Sequence, residues 1–172
     1  GIYEDTKYDL AGFSVGVIEK DELSMKNRVK EGNIALALSS SGIHSNGFSM
    51  VRSILNQNKI NLLEEDPFNI SVSLGKTLLT PTKIYTKSLN KLQKLNKLNG
   101  LANITGGGLI TNPQRTLPSN LSLRLHLKNW KLPNIFMWMK QMGGLETQEL
   151  LKIFNCGIGM LLYVDKNDVE EV

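Results

Sequence analysis

Cysteine is nearly missing from this chain. Cys156 is the single thiol in 172 residues, which excludes an internal disulfide framework. Histidine is almost as scarce, and His44 and His126 with one cysteine cannot complete a structural zinc site. No apolar run approaches the roughly 20 residues that span a bilayer, and the polar opening Gly1-Ile2-Tyr3-Glu4-Asp5 lacks the apolar core of a signal peptide. The chain is therefore read as cytoplasmic, with no membrane partner. Charge of one sign is lacking too: 20 basic and 16 acidic residues leave a net charge of +4. In the densest basic stretch, Lys83, Lys87, Lys91, Lys94 and Lys97 alternate with Ile84, Tyr85, Leu89, Leu92 and Leu95. That pattern reads as a helix with a solvated lysine face, and no nucleic-acid partner is expected. An initiator methionine is missing and residues 165–172 break off in a helix-like start, so both ends read as cut from a longer protein.

Apolar residues are plentiful. At 41% of the chain they suffice for one sizeable core and, at this length, one domain over residues 1–172. Strands are predicted over residues 10–18, 34–38, 101–105, 121–127 and 158–164. In the fourth, Leu121, Leu123, Leu125 and Leu127 alternate with Ser122, Arg124 and His126, which gives one buried and one polar face and leaves His126 exposed. Helices are predicted over residues 47–57, 71–79, 82–98, 133–142 and 146–154, with Pro133 at a first helical position and Gly143-Gly144 as a stop. Residues 58–69, with Pro67, are the expected mobile loop. The order of elements is not a regular strand–helix alternation, so the fold class is α+β, a mixed β-sheet flanked by helices.

Glycine and small polar residues concentrate at three corners. Ser39-Ser40-Ser41-Gly42-Ile43-His44-Ser45-Asn46-Gly47 joins the apolar run at residues 34–38 to Phe48, Val51, Ile54 and Leu55 at helical spacing, making a strand-to-helix turn. With Ser45 or Asn46 as N-cap, the amides of the new helix suit an anion such as phosphate. An ordinary polar turn accounts for that segment equally well. Gly106-Gly107-Gly108 follows a second strand at Thr105 and allows close backbone approach to a ligand. Phe154-Asn155-Cys156-Gly157-Ile158-Gly159-Met160 forms the third corner. Neither a P-loop nor a dinucleotide fingerprint occurs, so pattern alone points only to an anion site of unspecified kind.

Read in order, Tyr8-Asp9-Leu10-Ala11-Gly12-Phe13, Ser40-Ser41-Gly42-Ile43-His44-Ser45-Asn46-Gly47, Pro81-Thr82-Lys83-Ile84-Tyr85, Ile104-Thr105-Gly106-Gly107-Gly108 and Phe154-Asn155-Cys156-Gly157-Ile158-Gly159-Met160 closely resemble the phosphoribosylformylglycinamidine cyclo-ligase (AIR synthetase) family. The resemblance covers that family's C-terminal domain. It departs where the family commonly has Pro and His, since Ile43 precedes His44 and Asn103 precedes Ile104, and where Pro113 is shifted within Thr111-Asn112-Pro113-Gln114-Arg115. The resemblance implies an α+β domain of an ATP-dependent superfamily and an enzyme of purine biosynthesis that takes formylglycinamidine ribonucleotide and ATP. It also implies that the ATP-binding and dimerising half lies outside this chain, with Mg and its carboxylates there, and a homodimer for the full-length enzyme.

On the same ground His44 is the catalytic candidate, an acid, base or phosphate partner. Ser41, Gly42, Ser45, Asn46, Thr105, Gly106, Gly107 and Gly108 are the candidate substrate- and phosphate-binding residues. No metal ligands are assigned. Cys156 reads as a buried, inert thiol and Asn155 as a corner residue bonding its own backbone. Glu4, Asp5, Asp9 and Glu19 read as surface or linker charges. Two alternatives stay open: a sister enzyme of the superfamily, such as formylglycinamidine ribonucleotide synthase or a selenophosphate synthetase-like protein, or a non-catalytic binding module. If the two loops at residues 41–47 and 105–108 share a ligand, they must lie at the same edge of the sheet.

Overall fold

A computed structural model describes residues 10–20 and 28–172. Its elements in chain order are β1 (Ile34–Ser39), α1 (Phe48–Gln57), β2 (Glu65–Asp66), β3 (Asn69–Ser73), α2 (Leu74–Leu78), α3 (Thr86–Lys94), β4 (Leu98–Asn103), α4 (Gly108–Thr116), α5 (Asn134–Met142), α6 (Thr147–Ile153) and β5 (Ile158–Val164). The last strand of the sequence lies in the middle of the main sheet, whose order is β1-β5-β4. Both pairings are antiparallel, with Ser39 opposite Ile158 and Asn103 opposite Met160. The α+β class holds. The sheet expected to be mixed is antiparallel at both of these pairings, because each crossover returns to β5 and not to a strand of the same direction.

All seven residues of β5 are buried, as an apolar strand covered on both faces requires. On one face Ile158, Leu161 and Tyr163 pack with Val51 and Ile54 of α1, Phe136 and Met139 of α5, Leu150 of α6 and Phe154. On the other, Met160, Leu162 and Val164 meet Leu98 and Tyr85, with Leu89 and Leu92 of α3 partly buried beside them. The helices therefore divide unequally: α3, with its lysines outward, covers the second face together with Val169 and Val172.

The departures from pattern have local causes. Residues 10–18 form no strand, and Phe13, Val15 and Val17 are fully exposed. Glu19 is exposed as expected, whereas Glu4, Asp5, Asp9 and the Tyr8-Asp9 part of the first motif lie outside the described residues. Residues 121–127 keep their alternation without a partner strand: Leu121, Leu123 and Leu125 pack on the core, while Ser122, Arg124 and His126 face solvent. The sign of the pattern was right and only the ladder is missing; Leu127, exposed, opens a short 3-10 turn. The helix expected over residues 82–98 shrinks to α3, because Asn96 takes a left-handed conformation (φ 52°) that this residue type tolerates, and the chain turns there into β4. Strand β4 thus starts earlier than predicted and ends at Asn103. Within residues 58–69 and 71–79 the chain makes the β2–β3 hairpin and then α2, capped by Ser73, whose Oγ accepts from the Lys76 amide at 3.4 Å. Pro133 is the N-cap of α5, one place before the expected position, and Gly143 ends that helix.

Helix α4 carries little helical propensity, with Gly108 first and Pro113 inside it. Its start depends on a close approach. Gly108 has φ 55°, and a Cβ there would stand 2.2 Å from the Leu151 carbonyl oxygen of α6. Left-handed strain of about 1–2 kcal/mol and a backbone clash costing a similar amount make Gly108→Ala destabilising by about 3 kcal/mol, or roughly 10 °C in Tm. Gly12→Ala, where a Cβ meets nothing within 4 Å, is the control and should leave Tm unchanged in a thermal melt.

Candidate functional site

Because β1 and β4 both run against β5, they run the same way and end at one edge, Ser39 and Asn103 lying opposite the first residues of β5. The loops that follow them, residues 40–47 and 104–107, therefore leave the sheet side by side. A Cβ on Gly106 would lie 3.7 Å from Asn46 Oδ1, so the two loops touch. The corner at Asn155 and Gly157 joins them from the third side, since the Ser40 amide donates to the Gly157 carbonyl at 2.9 Å.

Each loop feeds a helix N-terminus. Neither Ser45 nor Asn46 caps α1; the cap is Gly47 (φ 79°), with no side-chain cap bond. A side chain there could not fit, because a Cβ would fall 2.3 Å from the Phe154 ring. Helix α4 begins the same way behind Gly107, again without a side-chain cap. First-turn amides without a side-chain cap and the positive end of the helix dipole favour an anion; two such ends lie at this edge, although the Gly108 amide already donates to the Thr105 carbonyl at 3.0 Å.

The polar residues of the first loop are held by the segment Pro81–Tyr85. Ser41 Oγ donates to the Pro81 carbonyl at 2.6 Å, and Ser45 Oγ lies 3.2 Å from Thr82 Oγ1. His44, left-handed at φ 57°, is 5% exposed. Its Nε2 accepts from the amides of Ser41 (3.2 Å) and Lys83 (3.4 Å). An acceptor facing two donors is an unprotonated nitrogen, so the imidazole is neutral. Burial, and next the Lys83 ammonium, hold its pKa below the usual 6.5. The tilted Tyr85 ring stands 6.4 Å away, and the Tyr85 hydroxyl donates to the Ser39 carbonyl at 2.8 Å. The nitrogen that would take a substrate proton is thus committed to backbone amides, one of the loop itself and one of the Pro81–Tyr85 segment.

Pattern reading missed Lys83, Asn112 and a wider reach for Asn155. Lys83 Nζ donates to Ser39 Oγ at 3.1 Å and lies 5.8 Å from the Tyr85 ring centre. The ion pairs found among the described residues are elsewhere, Lys30 with Asp165 and Lys97 with Asp168 and Glu171. Asn112 Oδ1 accepts from the Thr105 amide at 2.8 Å and its Nδ2 donates to the Gly106 carbonyl at 3.1 Å. Asn155 bonds the Gly157 amide as expected (2.8 Å), but it also accepts from Ser40 Oγ and donates to the Gly42 carbonyl. Cys156 is buried and its thiol is pushed up to about 12 by desolvation, which makes it inert. The signals for Lys83 and Asn112 were present, each inside a motif already quoted, but a hydrogen bond to another loop leaves no trace in spacing.

A cavity of about 180 Å³ is lined by Ser40, Ser41, Gly42 and Ile43 with Thr77, Pro133, Ile135 and Phe136. It abuts the first loop and does not include the triple glycine. Among the described residues no group of three His, Cys, Asp or Glu side chains is placed to hold a metal. No helix among them is long and apolar enough to cross a membrane.

The lowered His44 pKa has a sign. A proton that binds the unfolded chain more readily than the folded one costs stability as pH falls below about 6.5. Above that value the His44 contribution is fully present. Urea unfolding at pH 7.5 and 5.5 should show a loss on acidification that His44→Gln, which cannot titrate, shows less. The variant should also be weaker by about 1–2 kcal/mol at pH 7.5 from the disturbed amide bonds. Parallel losses in both proteins would assign the titration to another group.

Comparison with known proteins adds a family. A family model described as "AIR synthase related protein, C-terminal domain" matches residues 30–172. Phosphoribosylformylglycinamidine cyclo-ligase from Thermoanaerobacter pseudethanolicus is 44% identical over 172 residues, covering 99% of this chain and 51% of that protein. The protein of the same name from Bacillus pumilus is 44% identical over 100% of the chain and 50% of its own length. The bifunctional purine biosynthetic protein purD from Dictyostelium discoideum is 45% identical across the whole chain, which covers 21% of it. The chain thus spans about half the length of the cyclo-ligases it matches.

Proposed function

We propose, for a chain that belongs to the AIR synthase related protein C-terminal domain family, that it supplies one wall of the active site of a cyclo-ligase of purine biosynthesis. The complete protein would phosphorylate the formyl oxygen of formylglycinamidine ribonucleotide with ATP. A nitrogen of the substrate then attacks the activated carbon, that oxygen departs within inorganic phosphate, and the imidazole ring of aminoimidazole ribonucleotide is closed. The observation that carries this reading is the convergence of two loops and two uncapped helix N-termini at one sheet edge, with Gly106 against Asn46. Phosphoryl transfer depends chiefly on positioning and on compensating charge, and that edge offers backbone amides and the Lys83 ammonium.

In this assignment Ser41, Gly42, Ser45 and Asn46 form one phosphate- or substrate-facing corner, and Thr105, Gly106, Gly107 and Gly108 the other. His44 works as a neutral imidazole that braces the first corner; this takes the place of the proton transfer expected from its residue type. ATP fits the amide-rich edge through its phosphates. Mg does not fit the described residues, which offer no carboxylate cluster, so no step on this chain runs through it. The metal-binding residues, the rest of the ATP site and a homodimer contact belong to a second domain in the cytoplasmic enzyme. The exposed Phe13, Val15 and Val17 support such a covering domain, since three large apolar residues in alternation are costly to leave in water.

Kinetics on the isolated chain and on a full-length protein containing it test the reading. The full-length protein should form aminoimidazole ribonucleotide with release of one phosphate per ring closed, and the chain alone should neither close the ring nor hydrolyse ATP. Turnover by the chain alone, abolished by a substitution within it, would move the catalytic centre to this domain. ATP-dependent phosphorylation of a different acceptor by the full-length protein would favour a sister enzyme.

A further inference from the structure

We propose that Asn112 and Asn155 are positioning residues of this edge, each a buried amide that sets the backbone of one glycine-rich loop for an anionic ligand. The proposal rests on the reading of those loops as a phosphate-binding edge. Both side chains are almost wholly removed from solvent, at 4% and 2% exposure. Each reaches a loop other than its own turn. Asn112, in the second turn of α4, grips Thr105 and Gly106. Asn155, just before β5, grips Ser40 and Gly42, 115 and 113 residues away in sequence.

The geometry repeats in both places. An Nδ2 group pulls one glycine carbonyl inward, from Gly106 to Asn112 at 3.1 Å and from Gly42 to Asn155 at 2.9 Å. The chain has no cis peptide among the described residues, and in a trans peptide the carbonyl and the following N–H point in opposite directions. Drawing the Gly106 and Gly42 carbonyls inward therefore aims the N–H groups of Gly107 and Ile43 away from the clamping amide. The same side chains accept on Oδ1, from the Thr105 amide and from Ser40 Oγ with the Gly157 amide. A neutral amide donates to a carbonyl and accepts from an N–H at once, which an ionised carboxylate, an acceptor only, cannot do. An aspartate would set a charged acceptor against the glycine carbonyl, and a buried acceptor without a donor is costly. Glycine loops have no side chains to hold their own shape, so the clamps supply the order that glycine gives up.

The test is a titration of the ¹⁵N-labelled chain with inorganic phosphate, read at individual amides by NMR. In the unaltered chain the amides of residues 106–108 and 43–46 should shift, and the side-chain NH₂ signals of Asn112 and Asn155 should shift with the same apparent Kd. Asn112→Ser should weaken the response at residues 106–108 about tenfold, the scale of one lost net hydrogen bond, and leave residues 43–46 responsive. Asn155→Ser should do the converse. Asn112→Asp should bind as weakly as the serine variant at pH 7 and recover as pH falls through the carboxyl range, where the protonated acid regains a donor for the Gly106 carbonyl. A merely structural role would not give that pH profile. If the loops respond and the variants bind phosphate with unaltered affinity, the clamps are not positioning residues although the edge binds phosphate. If neither loop of the unaltered chain responds, the phosphate reading itself fails and the proposal with it. Should a variant not fold, the side-chain NH₂ signals decide: if they stay fixed while residues 106–108 shift, the proposal is overturned.

Discussion

Strand β5 sits between β1 and β4, and the rest of the domain depends on its burial. A strand paired on both edges and covered on both faces has nowhere to place a polar side chain, and all its residues are buried. Because it pairs antiparallel with each neighbour, β1 and β4 share a direction. Their loops must then leave at the same edge, and the helices that follow must start there. The candidate site is a consequence of strand order before it is a consequence of any side chain.

What fills that edge is polar and nearly uncharged. Ser41, Ser45, Thr82, Asn112 and Asn155 bond to backbone or to one another, and His44 joins them as an acceptor. Among the described residues, Lys83 is the one cation in this network. Burial, and next the Lys83 field, disfavour a positive charge on His44, so the described residues present a single ammonium and a set of amides at this edge. An anion meets attraction there without displacing a carboxylate. The tight contacts around Gly159, where a Cβ would fall 1.9 Å from the Tyr85 hydroxyl and 2.8 Å from His44 Cε1, show how closely the bracing side chains lie on the sheet.

Much of this was legible in the sequence, for identifiable reasons. β5 was placed residue for residue and β1 to within one, because buried strands are continuous apolar runs bounded by turn residues. Helices α1, α5 and α6 followed from apolar spacing and from punctuation such as Pro133 and Gly143. Where the signal was local it held, and even the unpaired residues 121–126 kept their alternation. Helix α4 was missed because its glycine and internal Pro113 argue against helix, and only packing on α6 and the β4 edge makes it one. Residues 10–18 have the pattern of a strand and no partner among the described residues, a case in which pattern states a need and not its satisfaction.

The candidate site divides in the same way. The sequence by itself determined which loops are rich in glycine and small polar groups, that Cys156 is a core thiol and that His126 is a surface residue, because composition, alternation and chemical type are properties of short segments. Tertiary structure alone decided that residues 41–47 and 104–108 meet, that His44 faces two backbone amides, and that Asn112 and Asn155 hold loops beyond their own turns. Those facts depend on which groups stand within about 3 Å of one another, and distances between residues far apart in sequence are set by strand order and packing, which no local pattern carries.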